Sequence, residues 1–195
     1  MLRDIVEDFV IGKRVVVTSS TNNGASSLSL FTANTILKDN KIVIIYNPSG
    51  DIDREFVKKY YPRVYSDALW LTSPLDTFLE FLQFIQFSFD CLIIDPGDVL
   101  MVNKKIVEVI GNLKRKSSTF LCTSQIRQDP NKGWSPYSTI ERVGAFDYSI
   151  WITNVSGEHV LFKKKYIDIH KDKRLGNNFI AREIAKFTNE GNIVE

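Results

Sequence analysis

Cysteine and histidine are scarce in this chain, two of each in 195 residues. Cys91 and Cys122 stand far apart, each inside an apolar run. That excludes a CxxC site and a disulfide framework, and it points to core thiols in a reducing compartment. His159 and His170 leave too little material for a zinc site or a histidine-based triad. No apolar run approaches the ~18 residues of a membrane helix, and Met1–Val10 is acidic with no signal-type apolar stretch. A soluble, cytoplasmic protein with no membrane partner is expected. An excess of one charge sign is also missing: Lys+Arg 25 against Asp+Glu 23 gives +2, which does not by itself mark a nucleic-acid binder. What the chain does have is 44% hydrophobic residues, enough for an ordinary globular core. With no linker and no repeat, residues 1–195 read as one domain.

Lys13-Arg14-Val15-Val16-Val17-Thr18 reads as a buried strand closed by a Ser/Thr/Asn/Gly turn. Leu28, Phe31, Ala33 and Ile36 follow at helical spacing, and Ile42–Tyr46 is a second apolar strand. Asp53–Tyr61 is predicted helical and Trp70-Leu71 a short strand. Pro74 opens a helix with Leu75, Phe78, Leu79, Leu82 and Ile85 on one face. Cys91–Asp95 is a third buried strand, Asn103–Leu113 a helix, and Thr119–Ser124 a fourth strand. Gln128–Thr139 reads as a polar loop and the chain from Tyr148 to Ile169 as mostly β. Met1–Val10 reads as a short amphipathic turn. Phe179–Phe187 places Ile180, Ile184 and Phe187 at helical spacing. Both end segments are candidates for partner docking. Strands alternating with helices predict an α/β fold: a mostly parallel sheet covered on both faces, with antiparallel strands added at the C-terminal edge.

Strand, glycine-containing turn and helix form the setting of a phosphate-binding loop of pattern G-x-x-x-x-G-K-[ST]. Ser19–Ser26 reads S-S-T-N-N-G-A-S. The second glycine survives as Gly24 and the hydroxyl as Ser26, with Ser27 next to it. The first glycine is Ser19, and Ala25 stands where the lysine belongs. Without that ammonium the main counter-charge for a γ-phosphate is gone. Asp95, 70 residues after Ala25 at the end of an apolar strand, occupies the place of a magnesium-side carboxylate.

In this order of elements the chain resembles the RecA-like ATPase superfamily. Its segments Leu71–Thr77, Asp95, Gly111-Asn112-Leu113-Lys114, Phe120–Arg127 and Ile169–Lys173 resemble the RecA core in sequence. The resemblance implies a RecA-like P-loop core in which Ser26 and Asp95 face magnesium and Gln125 senses the γ-phosphate. It implies further that Lys171 and Lys173 reach into a neighbouring subunit's ATP site. The chain departs from that pattern at Ala25 and again after the second strand, where Tyr46-Asn47-Pro48-Ser49 offers no catalytic glutamate. A catalytically inactive relative is expected, with no cofactor, although ATP with magnesium is the ligand the loop would take if any. The N-terminal extension and first DNA-binding loop of a recombinase are also cut down, the latter to Gly97–Val102.

Positive charge is patchy. Lys104-Lys105, Lys114-Arg115-Lys116, Lys163-Lys164-Lys165 and Lys171–Arg174 are clusters. At the position of the family's second DNA-binding loop, Arg127 and Lys132 are interleaved with Trp134 and Tyr137. Cations track phosphates and rings stack on unpaired bases, so this loop, with Lys114 and Arg115, is the candidate single-stranded DNA surface. The expected function is that of a non-hydrolysing accessory protein in DNA recombination, replication or repair. Its partners would be single-stranded DNA and a RecA-like recombinase or helicase, in a homo- or hetero-oligomer. The alternatives are a genuine ATPase with an atypical loop and a scaffold that uses the fold for protein contacts only.

Overall fold

A computed structural model describes residues 2–19, 24–98, 119–129, 133–136, 146–155, 158–165, 180–187 and 193–194. The elements run α1 (Leu2–Phe9), β1 (Arg14–Ser19), α2 (Ala25–Leu37), β2 (Val43–Tyr46), α3 (Arg54–Tyr60), α4 (Pro62–Asp67), β3 (Leu69–Leu71), α5 (Leu75–Phe84), β4 (Cys91–Ile94) and β5 (Thr119–Asp129). Then come β6 (Gly133–Pro136), β7 (Tyr148–Val155), β8 (Glu158–Lys165), β9 (Ile180–Phe187) and β10 (Ile193–Val194).

The strands form one sheet in the order β10-β9-β8-β7-β1-β5-β4-β2-β3, with β6 paired to β5. From β7 to β3 every neighbouring pair is parallel. Beyond β7, the pairs β7–β8, β8–β9 and β9–β10 are antiparallel. The central strands are apolar throughout because each face of the sheet is covered. Val15, Val17, Ile45, Cys91, Ile93 and Leu121 point into a core closed by Ile5, Leu28, Ile36, Val57 and Val64 of α1–α4. The intervening residues Val16, Ile44, Tyr46, Leu92, Ile94 and Phe120 pack on Phe78, Leu79 and Leu82 of α5. Period two on the strands and period 3.6 on the helices thus meet at both faces.

Two predicted segments differ from the structure, and a third, unassigned from the sequence, is a strand. Met1–Val10, read as a turn, contains helix α1, whose Ile5 and Val6 are buried in the core. An eight-residue helix is marginal alone, so this packing is what sustains it. Gln128–Thr139, read as a loop, contains the end of β5 and all of β6, paired from Ile126↔Pro136 to Asp129↔Gly133. Phe179–Phe187, with its helical spacing, contains strand β9. Its partner register jumps from Leu161↔Ala185 to Phe162↔Glu183, which leaves Ile184 as an extra residue in a bulge. That bulge breaks the two-residue period and produces the misleading spacing. The predicted helix Asn103–Leu113 lies outside the described residues.

Candidate functional site

The carboxyl ends of β1, β4 and β5 lie side by side, because β5 is inserted between the other two. The chain leaving β1 next enters the sheet at β2, three places away. A crevice at such a point is where open α/β sheets place their ligands. Here it is a cavity of about 490 Å³ whose lining includes Ser19, Gly24, Ala25, Asp95, Thr123 and Gln125.

Its floor begins with α2. Gly24 has φ 89°, a left-handed conformation natural to glycine, and its carbonyl accepts the first helical bond from Leu28 N–H at 2.9 Å. Ala25 is buried, Ser26 exposed and Ser27 half-buried. The rest of α2 tolerates burial of its hydroxyls because Ser29 and Thr32 donate back to the Ala25 and Leu28 carbonyls at 3.0 and 2.8 Å.

Asp95 directly follows β4 and is 5% exposed. Its Oδ1 accepts a 2.6 Å hydrogen bond from Thr123 Oγ1 of β5. Its Oδ2 is buried and has no hydrogen-bond partner among the described residues. The Ser26 hydroxyl is close enough to favour the ionised form but makes no well-formed bond to Oδ2. Burial holds the Asp95 carboxyl above its ordinary range. The Thr123 and Ser26 hydroxyls work against that, and the negative charges of Asp51 and Asp98 add to it.

The neighbouring carboxylates are each held in place. Asn47, buried directly after β2, donates from Nδ2 to the Asp95 carbonyl at 2.5 Å and to Asp51 Oδ1 at 2.9 Å. Asp53 caps α3 by accepting from the Glu55 and Phe56 amides. Asp98 accepts from Ser124 Oγ and the Gln125 amide, at 3.0 and 3.3 Å. Gly97 lies directly against β5: a Cβ there would collide with Cys122 Sγ and the Thr123 carbonyl. The two cysteines are buried and unlinked, and burial pushes both thiols well up, out of reactive range.

Gly24, Ala25, Ser26, Ser27, Asp95 and Gln125, all selected from the sequence, therefore line a single cavity. Asp98, Thr123, Asn47 and Phe56 were not selected. Phe56 and Asp98 line the cavity, and Asn47 braces it from behind. Asp51 and Asp53, a few residues beyond the end of β2, line it too. Among the candidate DNA residues, Arg127 stands opposite Ser135 and Trp134 opposite Gln128 on the β5–β6 hairpin. Lys114, Arg115, Lys132, Tyr137, Lys171 and Lys173 lie outside the described residues.

This order of elements, with a parallel core and a helix springing from the loop after β1, is a RecA-like fold. Among solved structures it is similar to the flagellar accessory protein FlaH from Methanocaldococcus jannaschii, with TM-score 0.63 and 15% identity over 98% of this chain and 94% of that one. The RadB recombinase gives TM-score 0.58 and 13% identity over 82% and 84%. A KaiC-like protein from Pyrococcus horikoshii gives 0.57 and 13% over 91% and 84%. No protein-family profile and no curated protein sequence matches the chain. No helix among the described residues is long and apolar enough to cross a membrane.

Proposed function

We propose that this protein is a non-hydrolysing RecA-like accessory subunit that serves DNA recombination, replication or repair by binding single-stranded DNA and an active recombinase or helicase. The observation that carries the reading is the charge of the cavity. Its described lining holds Asp51, Asp53, Asp95 and Asp98 and neither lysine nor arginine. The four residues before Gly24 are Ser20, Thr21, Asn22 and Asn23, none of them cationic. Ser26 and Asp95 keep the hydroxyl–carboxylate pair that would hold magnesium. A triphosphate, however, would enter a site with four carboxylates and no ammonium at position 25, and this set does not fit it. Asn47 also stands, uncharged and fully engaged, where a base would orient the attacking water.

The DNA side of the reading rests on the hairpin that β5 forms directly beyond Gln125, which carries Arg127 and Trp134. The test is fluorescence anisotropy of a labelled single-stranded oligonucleotide at two salt concentrations, with and without magnesium–ATP. Binding that weakens with salt, ignores ATP and is lost in Arg127→Ala/Trp134→Ala is expected. ATP-dependent binding or measurable turnover would overturn the non-hydrolysing reading. In the same reading Lys171 and Lys173 serve an active neighbour's site, so replacing both with alanine lowers the partner's ATPase rate without unfolding this chain.

A second reading is favoured by the match that spans nearly the whole of both chains, to a protein named as a flagellar accessory protein. Here the fold serves protein contacts only. Absence of oligonucleotide binding at every salt concentration decides for it.

A further inference from the structure

Asp95 is the one carboxylate of the cavity with a buried oxygen that has no hydrogen-bond partner among the described residues. Asp51, Asp53 and Asp98 each accept bonds from their own surroundings. Leaving a buried carboxylate oxygen unpaired is costly, and two further carboxylates close by raise the cost. A positive charge in the cavity would relieve both at once. The cavity walls then decide what kind of cation fits. Ala25, Leu30, Ile52, Phe56 and Pro96 give the lining an apolar side. A long basic side chain can lay its methylene stem along such a wall while its head reaches the carboxylate. The Phe56 ring, 39% exposed, offers the head a second contact. A bare metal ion fits less well, since no group of three or more His, Cys, Asp or Glu among the described residues is placed to hold one.

We infer that this cavity receives a lysine or arginine side chain from a partner protein, whose ammonium or guanidinium group pairs with Asp95 Oδ2. The space left by Ala25 admits from outside the kind of charge that a P-loop supplies from within. The inference rests on the accessory-subunit reading and adds the chemistry by which a partner is recognised.

The test uses the full chain, labelled with nitrogen-15, and the probe acetyl-Gly-Arg-Gly-amide, with its citrulline counterpart as the neutral control. Saturable shifts of the Ala25, Ser26, Thr123 and Gln125 amides are expected with the arginine peptide and not with the citrulline one. Asp95→Asn should weaken the apparent affinity by about tenfold, the loss of one charge-assisted pair. Ala25→Lys provides an internal ammonium, so it should abolish peptide binding and raise the thermal midpoint. If Ala25→Lys does not fold, Asp95→Asn decides the question alone. Equal response to the two peptides, or none, overturns the inference and leaves the accessory reading standing. If magnesium–ATP produces the saturable shifts instead, both are overturned.

Discussion

Along β4, Cys91, Leu92, Ile93 and Ile94 are enclosed by apolar side chains on both faces, whereas the next residue, Asp95, is almost as deeply buried and carries an unpaired carboxylate oxygen. The same change occurs on β5, from Phe120, Leu121 and Cys122 to Thr123 and Ser124, and on β1, from Val17 to Thr18 and Ser19. The middle of these three strands is packed, apolar core. Their carboxyl ends retain buried polar groups at a cost to stability, and such a cost is characteristic of a binding site.

Four measurements press on this contrast. The largest effect belongs to the core: Phe78 stacks on Tyr46 with ring centroids 3.7 Å apart. Phe78→Ala should cost about 3–5 kcal/mol in denaturant unfolding. A cost near zero would mean that α5 does not seal its face. At the boundary between the two regions, Gly97→Ala forces a methyl against Cys122 and the Thr123 carbonyl. The expected loss is about 1–3 kcal/mol. Adding Cys122→Ala should not restore all of it, because the carbonyl cannot retreat. At the cavity rim, Asp53→Ala removes the α3 cap, for about 1 kcal/mol.

The subtlest test concerns pH. The folded-state pKa of Asp95 is raised by burial. Its contribution to stability is therefore complete below the ordinary carboxylate range and is lost as pH rises through the folded-state value. Relative to the wild type, Asp95→Asn should gain stability as pH rises above about 4, the ordinary aspartate value. A pH-independent difference between the two would show that Asp95 is ordinarily solvated, and the contrast between core and site would fail there.

Most of the parallel core was legible in the sequence, because β1, β2, β4 and β5 are bounded apolar runs and α2 and α5 keep helical spacing. Helix α1, strand β9 and the β5–β6 hairpin were not. Each depends on a partner distant in sequence: the core for Ile5 and Val6, a bulged register against β8 for β9, and cross-strand pairing for residues of polar character. The site divides along the same line. Gly24 and Ser26 could be picked out because they fit the pattern of a phosphate loop opening α2, and Asp95 because it directly follows an apolar strand. Asn47 could not, since 48 residues separate it from Asp95, nor could the contacts of Asp98 with Ser124 and Gln125, which lie on a strand 26 and 27 residues further on.

What the amino-acid order determined by itself is therefore local: the apolar runs that make buried strands, the turn after β1, the alanine in place of a lysine and the absence of a carboxylate directly after β2. The tertiary structure decided that four aspartates line one cavity with no described cation, and that one carboxylate oxygen there is left unpaired. The physical reason is that charge acts through space. Only the placement of β5 between β1 and β4 brings the ends of these strands within range of one another.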